Sequence, residues 1–198
     1  LRKEIYKYKK NENTKISEKK KILIIGGSQG AKFFDEFITK IIIKLSKIEK
    51  IQVLQQVINV NKGKNIKELY QKNHIEHELF HFDDKVLLKA LNYDLAITRS
   101  GASAISELAY LNIPFVAIPF PYAKDNHQYY NAEFYEKKNC SWLIMQKKIN
   151  ESNFITFLSK IFKNQSEYFL KKDNLIKLNK DNTWEKNKIR LIKLINEN

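Results

Sequence analysis

A single cysteine, Cys140, occurs among the 198 residues. An internal disulfide is therefore excluded, and the usage fits a reducing cytoplasm. Long apolar runs are missing as well. None is long enough to span a bilayer, and no secretory leader pattern precedes the first strand. Acidic residues are few beside basic ones, 22 against 36, which leaves a net charge of +14. That balance suits nucleic acid, an anionic membrane or a phosphorylated substrate. Lys, Asn and Ile are abundant throughout, as an AT-rich genome would make them, so charge alone selects none of the three. Glycine and proline are scarce, five and three, and the turns they mark stand out. Apolar content of 43% is enough for one core, and the length suits one domain with or without an appendage. The chain opens at Leu1 rather than Met, and a piece of a longer protein is expected.

The apolar run 22–25 stops at Gly26-Gly27, then Ser28, Gln29 and Gly30 follow, and helical spacing opens at Ala31. Strand, glycine turn and helix start together make a phosphate-binding arrangement. Turn and first-turn N–H groups have no partners of their own, the helix dipole favours negative charge, and glycine lets an anion come close. The turn is neither a Walker A loop nor G-x-G-x-x-G, and the next strand pattern runs into Asn59 rather than an acid. A tight turn with no ligand is the competing reading.

Apolar residues at Phe33, Phe34, Phe37, Ile38, Ile41, Ile42 and Leu45 predict the first helix. Further strands are expected at 51–58, 76–82, 94–98, 115–118 and 142–145. Helices are expected at 66–72 after a break at Gly63, from an Asp83-Asp84 cap through 91, at 102–110 and at 127–138. Residues 1–20 read as a linker, its Lys-rich part from Tyr6 solvated and without packing signal; 21–150 read as the domain and 151–198 as a helical tail. Strict alternation of strand and helix predicts an α/β fold, an open parallel sheet covered on both faces. Ligands then bind beyond the carboxyl ends of the strands, where the loops after Ile25, Phe82, Thr98 and Ile118 all fall.

Two more stretches carry chemistry. In the segment Arg99-Ser-Gly-Ala-Ser-Ala-Ile-Ser-Glu107, small residues crowd a helix start, and Glu107 lies about one turn past Ser103. A carboxylate there suits the two hydroxyls of a ribose; a solvated or capping Glu is the bland alternative. His127, Gln128 and Asn131 open the next helix, and amide and imidazole groups suit sugar hydroxyls. Binding is favoured over general-base catalysis by His127, because no second catalytic group lies near it in sequence. Tyr122, Tyr129 and Tyr130 suit either base stacking or packing. His74, His77 and His81 match no zinc signature, and no metal site is expected.

The order Gly26-Gly-Ser-Gln-Gly-Ala31, Arg99-Ser-Gly-Ala102, Glu107, Pro114 through Pro119 and Asp125-Asn-His-Gln-Tyr-Tyr-Asn-Ala132 resembles the MurG family of peptidoglycan glycosyltransferases. The likeness runs from Lys21 to about Met145, and Leu1 to Ile5 is similar to the family's interdomain segment. It implies a Rossmann-like, doubly wound domain, the C-terminal donor-binding half of a GT-B fold, with a helical tail. It also implies transfer of N-acetylglucosamine from UDP-N-acetylglucosamine to lipid I, giving lipid II for the cell wall on which cell shape and division depend. By position, Ser28 contacts the diphosphate, Glu107 the ribose, and a backbone group at Phe82 the uracil. Ala102, Ser103, Ala104, Ile105 and Ser106 line the nucleotide, His127 and Gln128 reach the sugar, and Arg2 approaches the donor. Arg99 or Arg2 would do the work of a metal, so no cofactor is expected. The acceptor site and catalytic group belong to the family's N-terminal half, and half a molecule should bind donor without turnover. An anionic membrane surface is the implied partner, nucleic acid is not, and the place is peripheral, on the cytoplasmic face of the bacterial inner membrane. Two departures stand out: Asn112 for a usual Gly, and Asn139-Cys140 for Gly-Ala. Two rivals remain, the donor-binding subunit of a two-chain transferase and a non-enzymatic nucleotide or nucleic-acid binding module.

Overall fold

Three consecutive residues of the first apolar run, Ile22, Leu23 and Ile24, are fully buried. Neighbours along a strand point to opposite faces, so this strand needs cover on both. The computed structural model describes residues 5, 11, 14–27, 32–81, 83, 86–181 and 192, and it builds that cover from helices. Strand β1 (Lys20–Ile25) leads to a π-helical turn (Phe34–Ile38) that runs into α1 (Thr39–Leu45). Then come β2 (Ile51–Gln56), α2 (Val60–Lys72), β3 (Glu76–Phe80), α3 (Val86–Ala90), β4 (Leu95–Thr98) and α4 (Ala102–Tyr110). The order closes with β5 (Phe115–Ala117), α5 (His127–Lys137), β6 (Trp142–Leu143), α6 (Glu151–Lys163) and α7 (Gln165–Asp181). The strands lie in the order β3-β2-β1-β4-β5-β6, and every pair is parallel. This is the Rossmann order, and its switch point falls between β1 and β4, where Ile22 faces Leu95.

Alternation along β1 divides the core in two. Ile22 and Ile24 pack with Phe34, Ile38 and Ile42 of the first helical segment and with Phe154 and Leu158 of α6. Leu23 packs on the other face with Ile105 and Leu108 of α4 and Ala132 of α5. Helix α7 serves both faces, since Tyr168 joins the first cluster and Leu175 the second. It crosses beneath the amino ends of the strands. The Tyr168 hydroxyl donates to the Asp94 carbonyl at 2.6 Å, just before β4. Lys171 Nζ donates to the Ser141 carbonyl at 3.0 Å, just before β6. Asn179 Nδ2 donates to the carbonyls of Ala109 and Tyr110 ahead of β5.

Three expectations are corrected here. Residues 6–20 are not a solvated stretch where they are described, because Asn11 and Ile16 are buried. The Asn11 amide donates to the Leu111 carbonyl at 2.9 Å, and its Oδ1 accepts from Lys172 Nζ at 2.8 Å. Asp94 gathers the following turn: Oδ1 accepts from the amide and hydroxyl of Ser17, and Oδ2 from the Lys21 amide. One isolated isoleucine in a Lys-rich run makes no periodic pattern, so this fastening left no local signal. Gly63 does not break the chain but lies inside α2, its N–H bonded to the Asn59 carbonyl at 2.9 Å. A helical glycine costs about 1 kcal/mol against alanine. Here the bare Cα accommodates Val57, whose Cγ2 would stand 3.3 Å from an added Cβ. The strand ending at Phe80 and helix α3 are shorter than expected, and Phe82 and Asp84 lie outside the described residues.

Asn112 and Asn139, the two departures at turns, both sit in the left-handed region, with φ of 58° and 52°. Asn tolerates that region better than most residues do, so the glycine-type backbone survives the change. Each side chain also gains a partner on α7: Asn112 Oδ1 accepts from Asn179, and Asn139 Oδ1 from Lys171, both at 2.7 Å.

Ile16→Ala is expected to lower unfolding free energy by about 2–4 kcal/mol in urea denaturation, as for other buried aliphatic truncations. An unchanged midpoint would return residues 14–20 to the status of a free linker.

Candidate functional site

A cleft of about 430 Å³ opens beyond the carboxyl ends of β1, β4 and β5. Its walls are the Gly26-Gly27 turn, the segment from Arg99 to Ala104, the loop from Phe120 to Lys124, and His127 with Gln128. Each wall is shaped locally. Gly27 adopts φ of +64°, and its N–H donates to Gln56 Oε1 at 3.0 Å. Gly101 precedes α4 in extended conformation, and no side chain caps the helix. The opening amides of α4 therefore have no side-chain partner among the described residues, the condition for holding an anion. Asp125 and Asn126 take left-handed φ of 50° and 53° in succession to turn the chain into α5. Such strain is tolerated by these residue types and gathers at ligand sites.

Hydrogen bonds tie the walls together. Gln128 Oε1 accepts from the Phe120 amide at 3.0 Å, His127 Nδ1 lies 2.7 Å from the Lys124 carbonyl, and Asn131 Nδ2 donates to the Ser100 carbonyl at 3.1 Å. Arg99 is the hub. It is 5% exposed, and its Nη1 donates to the carbonyls of Ile118 and Pro119, each at 3.1 Å. Its Nη2 donates to Gln146 Oε1 at 2.6 Å. The guanidinium carbon sits 5.4, 5.0 and 5.4 Å from the ring centres of Phe33, Phe34 and Phe120. Burial pushes its pKa down to about 10, which still leaves it cationic at neutral pH.

The residues expected at the site divide. Arg99, Ala104, His127 and Gln128 line this cleft. Ala102, Ser103, Ile105 and Ser106 instead line a second groove of about 440 Å³ between α4 and α5, with Tyr130 and Phe134. Successive helical residues are about 100° apart, so five in a row do not share one wall. Glu107 is 4% exposed and is not among the lining residues of either recess. Arg2, Ser28 and Phe82 lie outside the described residues. Four contributors were not anticipated. Gln56 holds the glycine turn, Gln146 holds Arg99, and Phe33 and Phe34 read only as helical spacing. Polar residues ending a buried strand, as Gln55-Gln56 do, were the available signal for the first. His77 Nδ1 and His81 Nδ1 meet main-chain carbonyls, and no metal-holding cluster of His, Cys, Asp or Glu occurs among the described residues.

The glycosyltransferase family 28 C-terminal domain model matches residues 21–187. The chain belongs to that family. Relatives carry one shared name, UDP-N-acetylglucosamine–N-acetylmuramyl-(pentapeptide) pyrophosphoryl-undecaprenol N-acetylglucosamine transferase. That of Pelagibacter ubique (strain HTCC1062) is 42% identical over 96% of this chain and 53% of its own length. That of Rickettsia massiliae (strain Mtu5) is 37% identical over 81% of this chain and 43% of its own. The chain thus spans about half the length of the curated relatives it matches. The crystal structure of Acinetobacter baumannii MurG superposes with a TM-score of 0.71 over 83% of this chain and 49% of that one, at 21% identity. The family 28 domain here therefore has the Rossmann-like fold of a GT-B C-terminal half.

Gly27→Ala should cost about 1–2 kcal/mol in urea unfolding, the penalty for a left-handed alanine. Gly101→Ala, with φ of −62° and nothing within 4 Å of the new Cβ, should stay within about 0.5 kcal/mol of the parent. Equal costs at the two positions would contradict this account of the turns.

Proposed function

We propose that this chain is the donor-binding half of an inverting N-acetylglucosaminyltransferase. The donor is UDP-N-acetylglucosamine, and the acceptor is undecaprenyl-pyrophosphoryl N-acetylmuramyl-pentapeptide, so that lipid I becomes lipid II. The observation that carries this is 42% identity along nearly the whole chain to a transferase of that name, joined to a cleft walled by a glycine turn and an uncapped helix start. The relatives hold their remaining length on the same polypeptide, which favours a single-chain enzyme over a two-chain one. Acceptor contacts and the catalytic group are assigned to that remaining length.

In this reading the acceptor hydroxyl attacks C1 of the donor sugar from the face opposite the diphosphate, and UDP leaves. Negative charge grows on the diphosphate as the bond breaks. The open amides at the start of α4, the Gly26-Gly27 turn and the positive field of Arg99 stabilise that charge, and Ser28 is assigned to the diphosphate. His127 and the Nε2 group of Gln128 serve the sugar, Phe82 serves the uracil, Arg2 approaches the donor from the interdomain segment, and Glu107 serves the ribose. Of Ala102 through Ser106, the first three contribute main-chain amides, since the Ile105 amide is already bonded to the Gly101 carbonyl and most of the side chains line the outer groove. Glu107 needs α4 to shift or a neighbour to withdraw before its buried carboxylate meets a ribose. A net charge of +14 suits peripheral attachment to an anionic membrane at the cytoplasmic face, and no helix among the described residues is long and apolar enough to cross a membrane.

Calorimetric titration should show UDP-N-acetylglucosamine binding, with Glu107→Ala weakening it by about 1–3 kcal/mol. Unchanged affinity in a variant that melts normally would remove Glu107 from the ribose. Absence of sugar-nucleotide binding, together with nucleic-acid binding that falls steeply with salt, would favour the non-enzymatic module.

A further inference from the structure

Two glutamines end β2, and as neighbours along a strand they point to opposite faces. Gln55 is fully buried; its Nε2 donates to Thr39 Oγ1 at 3.0 Å, and its Oε1 accepts from the Tyr70 hydroxyl. Gln56 is half-buried and reaches the connections on both sides of its strand. Its Oε1 accepts from the Gly27 N–H at 3.0 Å, and its Nε2 donates to the His81 carbonyl at 3.3 Å. The orientation of the amide follows from these partners, because an N–H only donates and a carbonyl only accepts. Strand β2 lies between β3 and β1, so one side chain joins the turn after β1 to the segment leaving β3. Residue 81 is held a second time. His81 Nδ1 lies 3.0 Å from the Val57 carbonyl, and the Val57 N–H donates to the Phe80 carbonyl at 2.7 Å.

We infer that Gln56 is a positioning residue that sets the base-reading segment against the glycine turn, and that it thereby determines the preference for uracil over cytosine. This deepens the donor-binding reading above and rests on it. In that reading the Gly26-Gly27 turn serves the diphosphate, and the main chain at Phe82, next in sequence after His81, serves the uracil. Every residue type but proline offers the same main-chain N–H and carbonyl, so such a group tells one base from another only by where it is held. Uracil presents a ring N–H and a carbonyl where cytosine presents a bare ring nitrogen and an amino group. Hydrogen bonds tolerate only a few tenths of an ångström, so a segment left loose would accept either edge. Base and diphosphate are also joined through one ribose, which limits how far apart their two seats can stand. A single amide bonded toward both seats fixes that separation before any ligand arrives. The buried bonds of Gln55 hold the end of β2 from the other face, so Gln56 acts from a rigid support.

UDP and CDP are titrated calorimetrically against the purified chain as wild type, Gln56→Met and Gln56→Glu, each checked for a cooperative melt. Methionine keeps the length of the side chain and loses both bonds. Glutamate keeps an acceptor for Gly27 and has no donor for His81. The two nucleotides carry the same charge, so the new carboxylate weakens both alike and drops out of the UDP-to-CDP ratio. Wild type should favour UDP by about tenfold or more, the worth of one well-placed hydrogen bond. In each variant that ratio should fall at least about threefold, beyond any loss shared by both ligands. A purely structural role would lower the two affinities together. A ratio that falls by less than threefold in either folded variant overturns the role of Gln56, and so does a wild type that binds UDP and CDP equally. If Gln56→Met does not fold, Gln56→Glu decides by the same criterion. A wild type that binds neither nucleotide refutes the donor-binding reading itself.

Discussion

A parallel strand buried on both faces has no side left for solvent, and β1 imposes that condition on the rest of the chain. Its consecutive buried residues send side chains into two separate cores, so helices have to alternate between the two faces. Parallel pairing then fixes the sense of every strand, and all carboxyl ends arrive at one edge. The cleft is a consequence of that geometry more than of any single loop. It opens where successive connections leave in opposite directions from β1 and β4, so their loops part and leave a recess.

The two edges of the sheet do different work. Around the cleft, main-chain groups stay open, glycines and one left-handed Asp-Asn turn carry the path, and one cation goes without a counter-charge among the described residues. At the opposite edge almost the reverse holds. Asp94 binds three donors of the entering chain, Tyr168 covers its carbonyl, and Lys171 is seated on Trp142 with its ammonium bonded to Asn139 and Ser141. Stability concentrated away from the ligand edge leaves the recess free to carry strained and partly unsatisfied groups, a division common to binding sites on rigid scaffolds.

How far the sequence discloses this follows from the range of the interactions. The helix Ala102–Tyr110 was legible to the residue, because Gly101 punctuates its start and Asn112 and Pro114 close its end within a few positions. The continuous apolar run of β1 likewise predicts two-sided burial without tertiary information. Gly63 misled because the benefit of lacking a Cβ lies in Val57, which packing rather than local propensity brings close. Asn11 and Ile16 gave no periodic signal, since Asn11 finds its partners at Leu91, Leu111 and Lys172 and Ile16 joins a core cluster built from distant segments. At the cleft, glycine and small-residue turns announced main-chain sites, whereas Gln56 and Gln146 act through distant atoms and leave no spacing to detect. The likeness to a family named candidate positions, but only geometry separated Ala104, facing the recess, from Ser103, facing outward.

Helix α7 carries an implication for biogenesis. It is the last described helix to leave the ribosome, yet it closes carbonyls at Asp94, Ala109, Tyr110 and Ser141, which precede three strands synthesised much earlier. Until residue 179 has emerged, those ends are without their covers, and Asn11 waits for Lys172 across 161 positions. The nascent sheet should therefore remain loosely joined along that margin through most of translation and consolidate in a late step, when one helix locks the earliest and latest parts of the described chain together.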